Sequence, residues 1–81
     1  MEAYQVRMMK EYTELVDRYM KLNTMLKKYD SGALEFDLNC PVELLKEQSD
    51  VMWRYIEILY ERADYENVEL EPCAEGAAFI S

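Results

Sequence analysis

The sequence predicts an all-α fold: an antiparallel hairpin of two long helices that assembles into a helical-bundle oligomer. Three observations predict it. Apolar residues recur at heptad spacing in two separate stretches. Gly32 and Pro41 punctuate the short segment between those stretches. The apolar stripes are also wider than a single neighbouring helix covers.

The first helix is expected over about residues 2–30. Met8, Tyr12, Leu15, Tyr19, Leu22, Leu26 and Tyr29 follow one another in alternating steps of four and three. Met9, Val16, Met20 and Met25 widen that stripe on either side, and neither Gly nor Pro interrupts it. Gly32 suits the left-handed position just past a helix C-terminus. Lys27 and Lys28 fall in the last turn, where the helix dipole favours cations.

The linker is expected over residues 31–40. Leu34, Phe36 and Leu38 alternate with polar residues, which predicts extended chain with one buried face packed across the end of the hairpin. The second helix is expected over about residues 41–66. Pro41 suits the first helical position, with Asn39 or Cys40 as the cap and Glu43 in the first turn. Its seam is Leu45, Ser49, Met52, Ile56, Leu59 and Ala63, with a second apolar row of Leu44, Val51, Tyr55 and Ile58. The hairpin thus takes residues 1–67. Residues 68–81, with Pro72, Gly76 and three glutamates, read as a weakly ordered acidic tail.

A chain of 81 residues forms one domain with a marginal core, so it needs a staple. Two cysteines, Cys40 and Cys73, do not make a disulfide framework, and with no histidine a zinc site lacks its ligands. Self-association is the staple that remains. Residues 1–5 show no basic and apolar leader pattern, and no apolar run approaches the roughly 20 residues that span a bilayer. A cytoplasmic protein with reduced cysteines and no membrane partner is expected.

The net charge of −8 is unevenly spread: residues 1–30 carry +1 and residues 31–81 carry −9. That balance argues against binding duplex DNA or RNA and directs any anionic ligand to the first helix. Most of the acidity is accounted for by solubility. Histidine is absent, phosphate loops and nucleophile elbows are absent, and the chain has two glycines. Carboxylate pairs such as Glu11 and Glu14 read as a solvated helix face. Cys40 reads as a small buried or capping residue rather than an activated thiol. No enzyme activity, cofactor or metal is expected. Seven tyrosines and Trp53 are the richer signal; at heptad spacing they pack in cores and interfaces, and some stack on flat ligands.

Three stretches carry a resemblance. They are Tyr4 to Leu15 (YQVRMMKEYTEL) with Lys21-Leu22 and Met25-Leu26, Cys40 to Gln48 (CPVELLKEQ), and Tyr55 to Leu59 (YIEIL). Together, over roughly residues 4–70, they resemble a family of small helical phage proteins named after a crAss-like phage member. Related phage hairpins include the anti-CBASS sponges, which sequester the cyclic oligonucleotide messengers of bacterial immunity. The resemblance implies an oligomer in the cytoplasm of the host bacterium with ligand sites between subunits. It implies that Tyr12 and Lys27 handle the ligand phosphates, with Lys28 assisting. Such sponges carry an aromatic residue three positions before the tyrosine; this chain has Met9 there, which can pack on a purine face.

Fifteen residues of helix separate Tyr12 from Lys27, about 22 Å at 1.5 Å per residue. One chain's pair therefore cannot hold one phosphate. Two antiparallel first helices bring Tyr12 of one chain to Lys27 of the other, and the two-fold axis presents two such pairs. A cyclic dinucleotide, with two phosphates and near two-fold symmetry, fits that axis.

Two other readings compete. The acidic second half fits a protein-binding inhibitor of a host nucleic-acid-binding defence enzyme, acting like an anti-CRISPR. The seams alone fit a ligand-free coiled-coil adaptor.

Overall fold

A computed structural model describes residues 2–71 and contains two helices, α1 (Ala3–Asp30) and α2 (Val42–Tyr65), packed as an antiparallel hairpin. No strand occurs among the described residues, and no helix there is long and apolar enough to cross a membrane.

α1 begins at a reciprocal cap. The Glu2 N–H donates to Gln5 Oε1 at 2.8 Å, filling one of the helix's orphan donor positions with a side chain. It ends in a Schellman turn. Gly32 takes φ +75°, the Ala33 N–H donates to the Lys28 carbonyl at 2.8 Å, and the Gly32 N–H donates to the Tyr29 carbonyl at 3.1 Å.

α2 ends the same way. Asn67 occupies the left-handed position at φ 58°, and the Val68 N–H donates to the Ala63 carbonyl at 2.8 Å. Val68 also packs on Ala63 and Met8, the apolar contact that accompanies this turn. The start of α2 lies one residue later than the sequence indicates. Pro41 itself is the cap, with φ −59° and ψ 138°, and its carbonyl accepts from the Leu44 N–H. The ring fixes φ, and an extended ψ leaves that carbonyl aimed along the new helix.

The seams meet in register. Tyr12 packs against Tyr60 with ring centroids 6.3 Å apart, and Tyr19 packs against Trp53 at 5.6 Å. Further along, Ser49 Oγ donates to Asn23 Oδ1 at 2.8 Å, satisfying a polar pair inside the interface. Ile56 and Leu59 are wholly buried against Tyr12, Leu15 and Tyr19, each worth about 1.5–3 kcal/mol.

The linker departs from simple alternation. Leu34 and Leu38 are half-buried, but Phe36 is 60% exposed because bends at Glu35 and Phe36 turn the chain. Residues 68–71, expected as the start of a loose tail, lie against the hairpin: Val68 is buried, and Leu70 packs on both apolar clusters. The remainder of the expected tail, residues 72–81, lies outside the described residues.

Candidate functional site

On α1, Met9, Thr13, Val16, Met20, Asn23 and Lys27 follow in steps of four, three, four, three and four. They form a second seam beside the one that α2 covers. Met9, Val16, Met20 and Asn23 are half-buried; Thr13, Thr24 and Lys27 are exposed. The Thr13 and Thr24 hydroxyls donate back to the Met9 and Met20 carbonyls at 2.9 Å, so neither competes for an outside partner. None of the six seam positions carries a carboxylate, in a chain of net charge −8. A face of this kind accepts an apolar neighbour or an anion without paying charge repulsion.

The expected ligand residues sit at the two ends of this face. Met9 and Tyr12 stand at one end and Lys27 and Lys28 at the other, so a single chain does not bring Tyr12 and Lys27 together. Tyr12 is 4% exposed. Its hydroxyl donates to the Glu71 carbonyl at 2.7 Å. Met9 packs against the cluster of Met8, Ala63 and Val68.

Lys27 lines a groove of about 400 Å³ with Asn23, Leu26, Asp30, Lys46, Ser49 and Asp50. Lys46 pairs with Asp30 there at 3.3 Å, an exposed contact worth little by itself. The groove holds two lysines against two aspartates, so a bound anion needs charge from a second source. Lys28 is exposed in the same last turn.

Two features escape the sequence. The contact of residues 68–71 with Tyr12 joins positions about sixty residues apart, and no local pattern announces it. A second groove of about 460 Å³, lined by Arg7, Lys10, Arg18, Tyr55 and also Glu11 and Glu14, forms only once the two helices meet. The spacing of its charges along α1 is visible in the sequence, whereas the place of Tyr55 among them is not. Among the described residues no cluster of His, Cys, Asp and Glu is arranged to hold a metal.

A family model described as Sequestin matches residues 2–65, which take in both helices, the linker and all four expected ligand residues. The chain belongs to the Sequestin family. The family name suggests a sequestering protein. Glu71, the partner of Tyr12, lies beyond the Sequestin match. No curated protein and no solved structure matches the chain.

Proposed function

We propose that this Sequestin-family chain is a non-catalytic, phage-encoded anti-defence protein that captures a cyclic oligonucleotide immune signal. Capture takes place at sites between subunits of a homo-oligomer in the cytoplasm of the host bacterium. The observation that carries this reading is the carboxylate-free second seam of α1.

Two copies of that seam are self-complementary when antiparallel. Val16 then lies opposite the second copy's Met20, Thr13 opposite its Asn23, and Met9 opposite its Lys27. Each end of the joint face gathers Met9 and Tyr12 from one chain with Lys27 and Lys28 from the other. The partner adds a hydroxyl donor and a thioether to the Lys27 end, and Lys28 in the same last turn adds positive charge beside the Lys27 groove. The two ends lie about 27 Å apart at 1.5 Å per residue, so each holds the phosphates of its own ligand, and Met9 offers a polarizable thioether to a base.

The energy scale is adequate. Nanomolar capture needs about 12 kcal/mol, and four charge-assisted hydrogen bonds at about 1.5–3 kcal/mol each approach it before ordering costs. No step requires catalysis, a cofactor or a metal. Replacing Lys27 by Glu is expected to abolish binding of cyclic oligonucleotides while leaving the helical circular dichroism unchanged. Retained binding would show that the site lies elsewhere.

A second reading, an acidic protein-binding inhibitor, draws on α2. Glu43, Glu47, Asp50 and Glu61 are exposed along it, beside the exposed row Leu44, Val51, Tyr55 and Ile58. Steeply salt-dependent binding to a basic enzyme, with no binding of cyclic nucleotides, would favour it.

A further inference from the structure

The Schellman turn at Asn67 sends the chain back along the hairpin and fixes Val68 between Met8 and Ala63. Gln5 adds a second fixed point, donating from Nε2 to the Glu66 carbonyl at 2.8 Å. Past Val68 the attachment changes character. Among the described residues, 69–71 make no backbone-to-backbone hydrogen bond. They are held by the half-buried Leu70, which packs on both apolar clusters, and by the bond from the Tyr12 hydroxyl to the Glu71 carbonyl. A firm hinge therefore carries a short segment with one apolar plug and one polar latch.

That segment lies on the end of α1 that holds Met9 and Tyr12. The Tyr12 hydroxyl has one proton, and Glu71 takes it. Glu69 and Glu71 are both exposed and flank Leu70 in the chain, so the segment brings two negative charges to this end of the hairpin, and a phosphate arriving at Tyr12 meets an occupied donor.

We infer that residues 69–71 form a displaceable strap over Tyr12, so that an anionic ligand and the strap compete for the same hydroxyl. This rests on the reading that Tyr12 handles phosphate. The strap keeps the buried tyrosine satisfied in the empty protein and raises the ligand concentration needed for capture. An anion binds the open form better than the closed one because opening removes two carboxylates and frees the donor.

The test uses full-length protein and the full-length variant Leu70→Ser, titrated with cyclic di-AMP, cyclic di-GMP and cyclic tri-AMP. A glutamate-specific protease reports the strap through cleavage after Glu69, located by mass spectrometry; the Glu71–Pro72 bond resists such proteases. Saturating ligand is expected to speed that cleavage by about fivefold or more, and Leu70→Ser to bind the same ligand at least about threefold tighter. Binding by the variant alone would also support the strap. The variant Tyr12→Phe, which lacks the latch but keeps the ring, is expected to be cleaved after Glu69 faster with no ligand present. If the ligand binds while cleavage is unchanged or slowed and Leu70→Ser gains nothing, the strap is static and the inference falls, though sequestration stands. If no cyclic nucleotide binds either protein, the sequestration reading fails and the strap's regulatory role falls with it.

Discussion

The Tyr12 hydroxyl and the Glu71 backbone carbonyl are 2.7 Å apart, joining the first helix to the chain beyond the second. The Tyr12 ring meanwhile packs on Tyr60 within the hairpin core. One side chain thus serves the core with its ring and the strap with its oxygen. Tyr12→Phe keeps the first and removes the second. It is expected to lower stability by about 0.5–1.5 kcal/mol, since Glu71 is exposed and water can satisfy the released carbonyl. Urea unfolding at matched protein concentration measures it; a loss above about 3 kcal/mol would mean that the ring had also moved.

Gln5 closes both open ends of the hairpin. Its oxygen accepts from the Glu2 N–H at 2.8 Å, and its nitrogen donates to the Glu66 carbonyl at 2.8 Å. Gln5→Ala removes both and is expected to cost about 1–2 kcal/mol, with the amides of the first turn of α1 exchanging faster. Hydrogen exchange that is unchanged at both ends would contradict this role.

The two helix ends offer a paired test of backbone strain. Gly32 sits at φ +75° with open space around its missing Cβ, so Gly32→Ala pays only the left-handed penalty, about 1–2 kcal/mol. Asn67 holds the matching position at φ 58° in α2, so Asn67→Gly is expected to be neutral or slightly stabilising. Thermal unfolding of both variants decides it; the same sign for both would contradict it.

The exposed row on α2 separates a lone hairpin from an assembled one. Val51 is 63% exposed in the single chain, and Val51→Glu should then alter its stability by no more than about 0.5 kcal/mol. If the row packs against another subunit, the same change reduces the sedimentation coefficient at micromolar concentration while circular dichroism at high helix content persists. The homo-oligomer proposed here predicts an assembly in the wild type; a wild-type monomer at all concentrations would oppose it.

Most of the fold was legible because helical periodicity is local. The rows Met8, Tyr12, Leu15, Tyr19 and Leu26, and Ser49, Ile56, Leu59 and Ala63, are the buried rows. Gly32 marked its turn because only glycine takes that conformation freely, whereas Asn67 leaves a weaker mark, and the helix expected to about residue 66 ends at Tyr65. Phe36 misled because alternation implies extended chain, and two bends undo it. Val68 and Leu70 looked like loose-end residues, since their partners Met8 and Tyr12 lie about sixty positions away and only the closed hairpin brings them near. The fifteen-residue spacing of Tyr12 and Lys27 keeps the two apart within one chain, as the helix rise implies. The burial of Tyr12 was equally implied by its place in the seam, but its bond to the Glu71 carbonyl was not.

The most direct measurement is calorimetry of the full-length protein against cyclic di- and trinucleotides, with linear dinucleotides as controls. Sequestration at sites between subunits predicts tight binding of a cyclic species, two ligands to each antiparallel pair of chains, and loss of the heat in Lys27→Glu. Absence of heat with every cyclic species, under conditions where the protein is folded, would contradict it.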